Sequence, residues 1–257
     1  MDDVFKYVIL IAVGASLLVL EIFFDAKERK ESRSKHVSRN LVFGLIGSVL
    51  VGLFYTTTLV AADRFAQRIS FEGLLGVLPF GSVVSVIIIF LLFDLVLYFW
   101  HFINHKIPFL WRFHRVHHSD ADLDFSSAVR FHAGELLISI LVKATFLVLT
   151  GASVAMIAAF DVLVTLFALY NHANLSMEKA EKFLRFFIVT PDMHRIHHSK
   201  HRTETDSNFT TILSIWDRIF GTYVKKTSYT DGVGLNQYER PASRTLMSLL
   251  AMPFRRK

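Results

Sequence analysis

Long apolar runs separated by short charged stretches set the pattern of this chain. Tyr7–Phe24, Leu41–Ala62 and Ser82–Trp100 are almost wholly apolar. Each falls within the roughly 17–25 residues that a helix needs to cross the hydrocarbon of a bilayer. Leu136–Tyr170 is too long for one span. The stretch TGAS at residues 150–153 offers a turn, so a hairpin of two short helices is expected there. After residue 171 the long apolar runs stop. The last third of the chain is therefore expected to cap one membrane face as a soluble layer.

The N-terminal run, MDDVFKYVILIAVGASLLVLEIFF, starts acidic and has no small-residue cleavage site before DAKERK. It reads as a retained membrane helix rather than a secretory signal. The 257 residues are 53% hydrophobic, include no cysteine and carry a net charge of +6. Without cysteine there are no disulfides, thiolate metal sites or cysteine-held iron–sulfur clusters. The positive charge flanks the apolar runs, which points to the cytoplasmic side of a membrane and anionic lipid rather than to nucleic acid. Loop 25–40 holds Lys27, Arg29, Lys30, Arg33, Lys35 and Arg39, whereas loop 63–81 holds only Arg64 and Arg68. By the positive-inside rule the first loop is cytoplasmic and the second lies on the far side. The third helix then returns to the cytoplasm at His101, and the hairpin delivers His172 to the same side.

That topology, set by charge and hydropathy, gathers the imidazoles. Of the 12 histidines, all but His36 lie between residues 101 and 201, at or beyond the cytoplasmic ends of helices. His36 sits in the basic loop and is expected at the interface. The predicted fold is an all-α integral membrane protein, a bundle of about four to five membrane helices with a cytoplasmic histidine-rich helical cap. One membrane domain, 1–257, divides into N-terminal helices 1–100, cap segments 101–135 and 171–223, the hairpin 136–170 and a C-terminal tail 224–257.

HFINH places His101 and His105 one helical turn apart on one face. HRVHH sets His114 against His117 and His118 at i+3 and i+4, and HRIHH repeats this with His194, His197 and His198. Two imidazoles one turn apart can chelate one ion, and a third beside them can share it or reach a neighbour. Imidazole suits iron, zinc, copper and nickel. Burying so many polar rings without such compensation would be costly. A carboxylate seven residues before His101, Asp94, lies on about the same helix face and inside the membrane, where ionisable groups are expensive and mark function. Asp161 is a second intramembrane carboxylate.

HxxxH at 101–105 with HxxHH at 114–118 and 194–198 resembles the fatty acid hydroxylase and sterol desaturase superfamily. DLVLYFWH at 94–101, RFHAGE at 130–135, NHANL at 171–175, TPDMHRIHHS at 190–199 and WDRIFGTY at 216–223 are similar to its other signatures. The resemblance spans about residues 90–223; Thr210 stands where a glycine is expected. It implies two non-haem irons, with zinc as a misloaded substitute. The implied ligands are His101, His105, His114, His117, His118, His172, His194, His197 and His198, with His132 as a tenth. His201 matches no motif strongly and reads as a solvated neighbour. Asp94, Asn171, Asn174, Asp206 and Asn208 are candidates to orient the rings, because a ligating histidine usually donates its other N–H to a carboxylate, carbonyl or water. The last four read equally well as caps and turns.

The implied reaction is O2-dependent hydroxylation or desaturation of a lipid C–H position. Cleavage of an ether lipid through a hydroxylated intermediate is an alternative outcome. The chain carries no haem-binding domain, flavin or nicotinamide motif, so a separate electron-donor protein of ferredoxin or cytochrome b5 type is expected. Location in a bacterial inner membrane or the endoplasmic reticulum follows. A membrane metal transporter would also need intramembrane histidines, but such sites sit near the midplane between repeats. The histidines here gather at one face, and the membrane half shows no repeat. A zinc-dependent membrane hydrolase would satisfy the ligands without redox chemistry.

Overall fold

In a computed structural model, residues 3–78, 82–227, 232–238 and 244–255 are described. Five helices among them are long and apolar enough to cross a membrane. They are α1 (Asp3–Phe23), α2 (Arg33–Arg68), α4 (Ser82–Lys106), α6 (Ala133–Thr150) and α7 (Val154–His172). A short helix, α3 (Gly73–Val77), follows α2. The cap is built from α5 (Pro108–His118), α8 (Glu178–Leu184), α9 (Pro191–His197), α10 (Arg202–Thr205) and α11 (Ile215–Ile219). A last helix, α12 (Leu246–Ala251), packs back on the cap. The chain is thus all-helical in its described residues, as the hydropathy pattern predicts.

The helices exceed the apolar runs that reveal them. α2 has 36 residues, about 54 Å at 1.5 Å per residue, well beyond the hydrocarbon thickness. Its polar first turns rise out of the membrane, and α4 likewise continues past Trp100 through His105. The hairpin turns where TGAS predicts. Gly151 closes α6 in the left-handed conformation with φ 74°, and the Ser153 hydroxyl accepts from the Met156 N–H at 3.2 Å to start α7. At that same end the loop before α3 meets the hairpin so closely that a Cβ on Gly151 would lie 2.2 Å from the Glu72 carbonyl oxygen.

Core packing joins α2, α4, α6 and α7 through Leu59, Ile89, Phe93, Leu147, Ile157 and Phe160, all buried. The rings of Phe93 and Phe160 stack at 5.4 Å. The opposite end of the bundle, where α1, α4 and α7 finish and α2 and α6 begin, carries the cap. His36 belongs to this end. It is not in an interfacial loop, as its basic surroundings suggest, but on α2 and fully buried. Its ring nitrogens lie 2.8 Å from Asp124 Oδ2 and 2.8 Å from Asp120 Oδ1. These two carboxylates come from the stretch after α5, so His36 ties α2 to the cap. Residues 244–255 also hold the cap: Leu249 and Met252 pack with Phe43 and Val116. The buried guanidinium of Arg115 donates to the Met252 carbonyl at 2.5 Å and to that of Arg255 at 3.0 Å.

Candidate metal centre

Nine histidines converge because three helix signals aim them. α4 ends on His101 and His105. Ile107 is extended, and Pro108 starts α5 at its first position, where a missing N–H is harmless. α9 repeats the device: Thr190 caps it, accepting from the Met193 N–H at 3.5 Å, and Pro191 follows. His172 is the last residue of α7.

The rings sort into two groups. His101, His105, His114, His118 and His197 each bring one ring nitrogen into a common space, all within 4.8 Å of one another. His117, His172, His194 and His198 do the same. The groups adjoin, with the rings of His118 and His198 stacked at 4.3 Å. The near-identical boxes now have a reason. In each, the i and i+4 histidines serve one group and the i+3 histidine serves the other. Thus α5 gives His114 and His118 to the first group and His117 to the second, while α9 gives His194 and His198 to the second and His197 to the first.

Hydrogen bonds fix which nitrogen faces inward. Nδ1 of His101 lies 2.6 Å from the Phe209 carbonyl, that of His197 2.7 Å from Ser207 O, and that of His172 2.7 Å from Ala168 O. His114 Nδ1 lies 2.8 Å from Glu135 Oε1, and His105 Nδ1 3.3 Å from Asp206 Oδ1. Each partner is an acceptor, so Nδ1 carries the proton and donates, leaving Nε2 with a bare lone pair. Those lone pairs then point at each other: His101 Nε2 is 3.1 Å from His114 Nε2. His172 Nε2 is 3.0 Å from His117 Nε2 and 2.9 Å from His194 Nε2. Nε2 of His105 and of His197, and both nitrogens of His118, are buried with no hydrogen-bond partner among the described residues.

Facing lone pairs repel, and buried polar atoms without partners call for an explanation. A cation between them supplies one. Two nitrogens each about 2.1 Å from one ion would lie about 3 Å apart at close to a right angle. Burial, and then the neighbouring rings, push His117, His118, His194, His197 and His198 well below the usual imidazole range, which favours the neutral form that binds metal. The donor set is hard-to-borderline nitrogen without sulfur, and it fits iron.

The other sequence candidates divide. Asp206 faces the His105 ring at 3.3 Å while also accepting from Lys106 at 2.8 Å. Asp94 does not reach one. Its Oδ2 accepts from the Leu213 N–H at 3.1 Å and from Trp216 Nε1–H at 2.9 Å, so it pins the segment before α11. Asn171 donates to the Thr211 carbonyl at 2.7 Å, and Asn174 to Asp25 at 3.0 Å and the Lys27 carbonyl at 2.9 Å. Asn208, with φ 49°, donates to the carbonyls of Met193 and Val224. These three hold chain, not rings. His132, expected as a tenth ligand, stands outside both groups. It caps α6, its Nδ1 accepting from the Gly134 N–H at 3.0 Å and its Nε2 lying 3.2 Å from Leu250 O. His201 also lies outside both groups and is half-buried. Thr210 needs no glycine: its N–H and hydroxyl both donate to Asp217, at 3.0 and 2.7 Å. The carboxylate that sequence reasoning missed is Glu135. It stands within RFHAGE, three residues after His132, and only the fold shows that it faces His114.

A sequence model of fatty acid hydroxylases matches residues 86–222, a stretch that contains all nine histidines. The chain belongs to the fatty acid hydroxylase family. This hydroxylase-family chain is 33% identical over 163 residues to ornithine lipid hydroxylase OlsE of Rhizobium tropici, covering 63% of the chain and 47% of that protein. It is 30% identical over 151 residues to alkylglycerol monooxygenase of Danio rerio, 58% of the chain and 33% of that protein. Cholesterol 25-hydroxylase of Rattus norvegicus is 29% identical over 148 residues, 53% of the chain and 46% of that protein. The chain thus spans about half or less of the length of these relatives. No solved structure matches it.

Proposed function

We propose that this protein is a membrane-bound oxygenase that hydroxylates or desaturates a lipid, using O2, external electrons and two irons held by nine histidines. One observation supports the reading: two abutting groups of imidazole nitrogens share both HxxHH boxes, so two ions bound there would be held as a pair. Bound there, iron would supply the O2 activation that an unreactive lipid C–H bond demands.

The chain's own residues prepare the site. His101, His105, His114, His118 and His197 would hold one ion, and His117, His172, His194 and His198 the other. Glu135, Asp206 and the carbonyls of Ala168, Ser207 and Phe209 keep Nδ1 protonated and turn Nε2 inward. The histidines act as ligands, not as acids or bases. The Phe209 ring, 5.7 Å from that of His101 and 5.1 Å from that of His105, closes water off from the first group.

The names of the relatives support a lipid substrate and leave its class open among ornithine lipid, alkylglycerol and sterol. Ether-lipid cleavage is the second reading, and the likeness to alkylglycerol monooxygenase favours it. Electrons would come from a separate ferredoxin or cytochrome b5 type protein meeting the basic cap. The lysine and arginine balance supports a cytoplasmic cap, which would belong to a bacterial inner membrane or the endoplasmic reticulum. The test is product formation from a lipid extract with added reductase. Oxygen incorporation, or a new double bond, that requires O2 and vanishes in His117→Ala is expected. Full turnover in His117→Ala would overturn the reading.

A further inference from the structure

The outer face of the cap is greasy in one place. Phe183, Phe186, Phe187, Ile215, Ile219 and Phe220 are between 44% and 67% exposed. They lie together because Ile188 and Leu213 form an antiparallel bridge and the Ser214 N–H donates to the Phe187 carbonyl at 3.1 Å. The Phe183 and Phe187 rings are 5.4 Å apart. Ile215 and Ile219 share one face of α11. Contiguous apolar patches of this kind mark interaction sites.

Depth identifies the partner. α11 lies beside the shaft of α4, not above its end. Asp94 holds Leu213 and Trp216, and the Phe220 ring packs on Tyr98 at 5.2 Å and Phe99 at 5.0 Å. The apolar run of α4 ends at Trp100, so Asp94 is about 9 Å below that boundary and Phe99 lies at it. Phe99 is itself 43% exposed on a membrane helix, so the greasy face continues the lipid-facing surface of α4. Non-helical backbone at such depth must find its partners within the protein, and here it does. Asp217 accepts from the N–H groups of Phe209 and Thr210, and Asp94 from that of Leu213. The two arginines in these stretches are both engaged by the protein. Buried Arg185 donates to Glu181 at 3.0 Å and to the Lys225 carbonyl at 2.8 Å. Half-buried Arg218 lies 3.9 Å over the Tyr223 ring and 5.3 Å over the Phe186 ring and donates to the Arg185 carbonyl at 2.6 Å. Exposed Lys182, Lys225 and Lys226 occur on the neighbouring segments, as at a headgroup boundary.

We propose that residues 183–187 and 213–220 form a re-entrant wedge that inserts into the leaflet facing the metal layer, its outer face covered by acyl chains. The cap is then only partly a soluble layer. Asp217 holds Phe209, and the Phe209 carbonyl faces His101, so the wedge and the first histidine group are mechanically one piece.

The chain has no cysteine, which makes site-directed spin labelling direct. Phe187→Cys and Ile219→Cys, each carrying a nitroxide, are reconstituted in vesicles of phosphatidylcholine and phosphatidylglycerol. Ile11→Cys, 71% exposed on α1, is the lipid reference and Lys226→Cys the aqueous one. Power saturation against O2 and a water-soluble nickel chelate reads the environment. Both wedge labels should match Ile11→Cys, with high O2 and low nickel access. Nickel access equal to Lys226→Cys would put the face in water and overturn the wedge. Low access to both relaxers would mean that protein covers the face, and would overturn it equally. Two independent positions keep the test decisive if one variant does not fold.

Discussion

Glu135 is the carboxylate whose role only the folded chain reveals, and it is open to a direct test. Its Oε1 takes the Nδ1 proton of His114 in a hydrogen bond of 2.8 Å, which sets the tautomer and adds basicity to Nε2. Glu135→Gln keeps the shape and removes the charge. Metal affinity should fall about 10–100-fold, read as metal retained per chain across graded chelator, with membrane insertion intact. Unchanged retention would exclude the carboxylate from the site. Asp94 predicts the opposite pattern. Asp94→Asn weakens charge-assisted bonds to Leu213 and Trp216, worth about 1.5–3 kcal/mol. Thermal unfolding should come earlier while the variant, once folded, keeps its metal. Lost metal at unchanged Tm would restore Asp94 to the rings. At this scale the histidine spacings were legible, because one helical turn is written in the sequence. The partners of the rings were not: three are backbone carbonyls, which no side chain announces. Asp94 misled because seven residues put it on the His101 face, while a distant segment competes for the same face. His132 misled because a motif does not reveal that its ring caps a helix.

Among the elements, α5 and α9 exchange ligands between the groups, and this yields an ordering. His117→Ala leaves three nitrogens in the second group, and His197→Ala leaves four in the first. Metal content should fall in both, and further in His117→Ala. The reverse order would contradict the sorting. The far end of the bundle carries a separate prediction. Gly151 has φ 74°, and a Cβ there would lie 2.2 Å from the Glu72 carbonyl. Gly151→Ala should destabilise by about 1–3 kcal/mol, seen as a lower Tm in detergent. An unchanged Tm would mean that the two turns do not meet. The membrane helices and their hairpin were legible as apolar runs and a turn signal. The extension of α2 to Arg33 and Arg68 was not, since polar helical turns leave no hydropathy mark. Nor was the docking of 244–255 on α5, which depends on the buried Arg115 reaching two backbone carbonyls far along the chain.

At the scale of the whole molecule, one end of the bundle gathers the ends of α1, α4 and α7, the starts of α2 and α6, and all nine histidines. We propose from the lysine and arginine balance of the loops that this end faces the cytoplasm. A tag in loop 25–40 should therefore be inside and one near Gln67 outside, by protease protection in sealed vesicles; both on one side would contradict the alternation. The layered site was legible in the sequence, since hydropathy and charge sufficed to bring eleven of the histidines to one face. Its division into five and four was not, because it depends on which rings of α5 and α9 the fold brings to which neighbours. That division is the centre of the account, and metal stoichiometry tests it most directly. Protein purified from iron-replete cells should hold two irons per chain, both lost together with O2-dependent lipid oxidation on chelation and regained together on restoring iron. One iron per chain in fully active protein would contradict the two-ion centre.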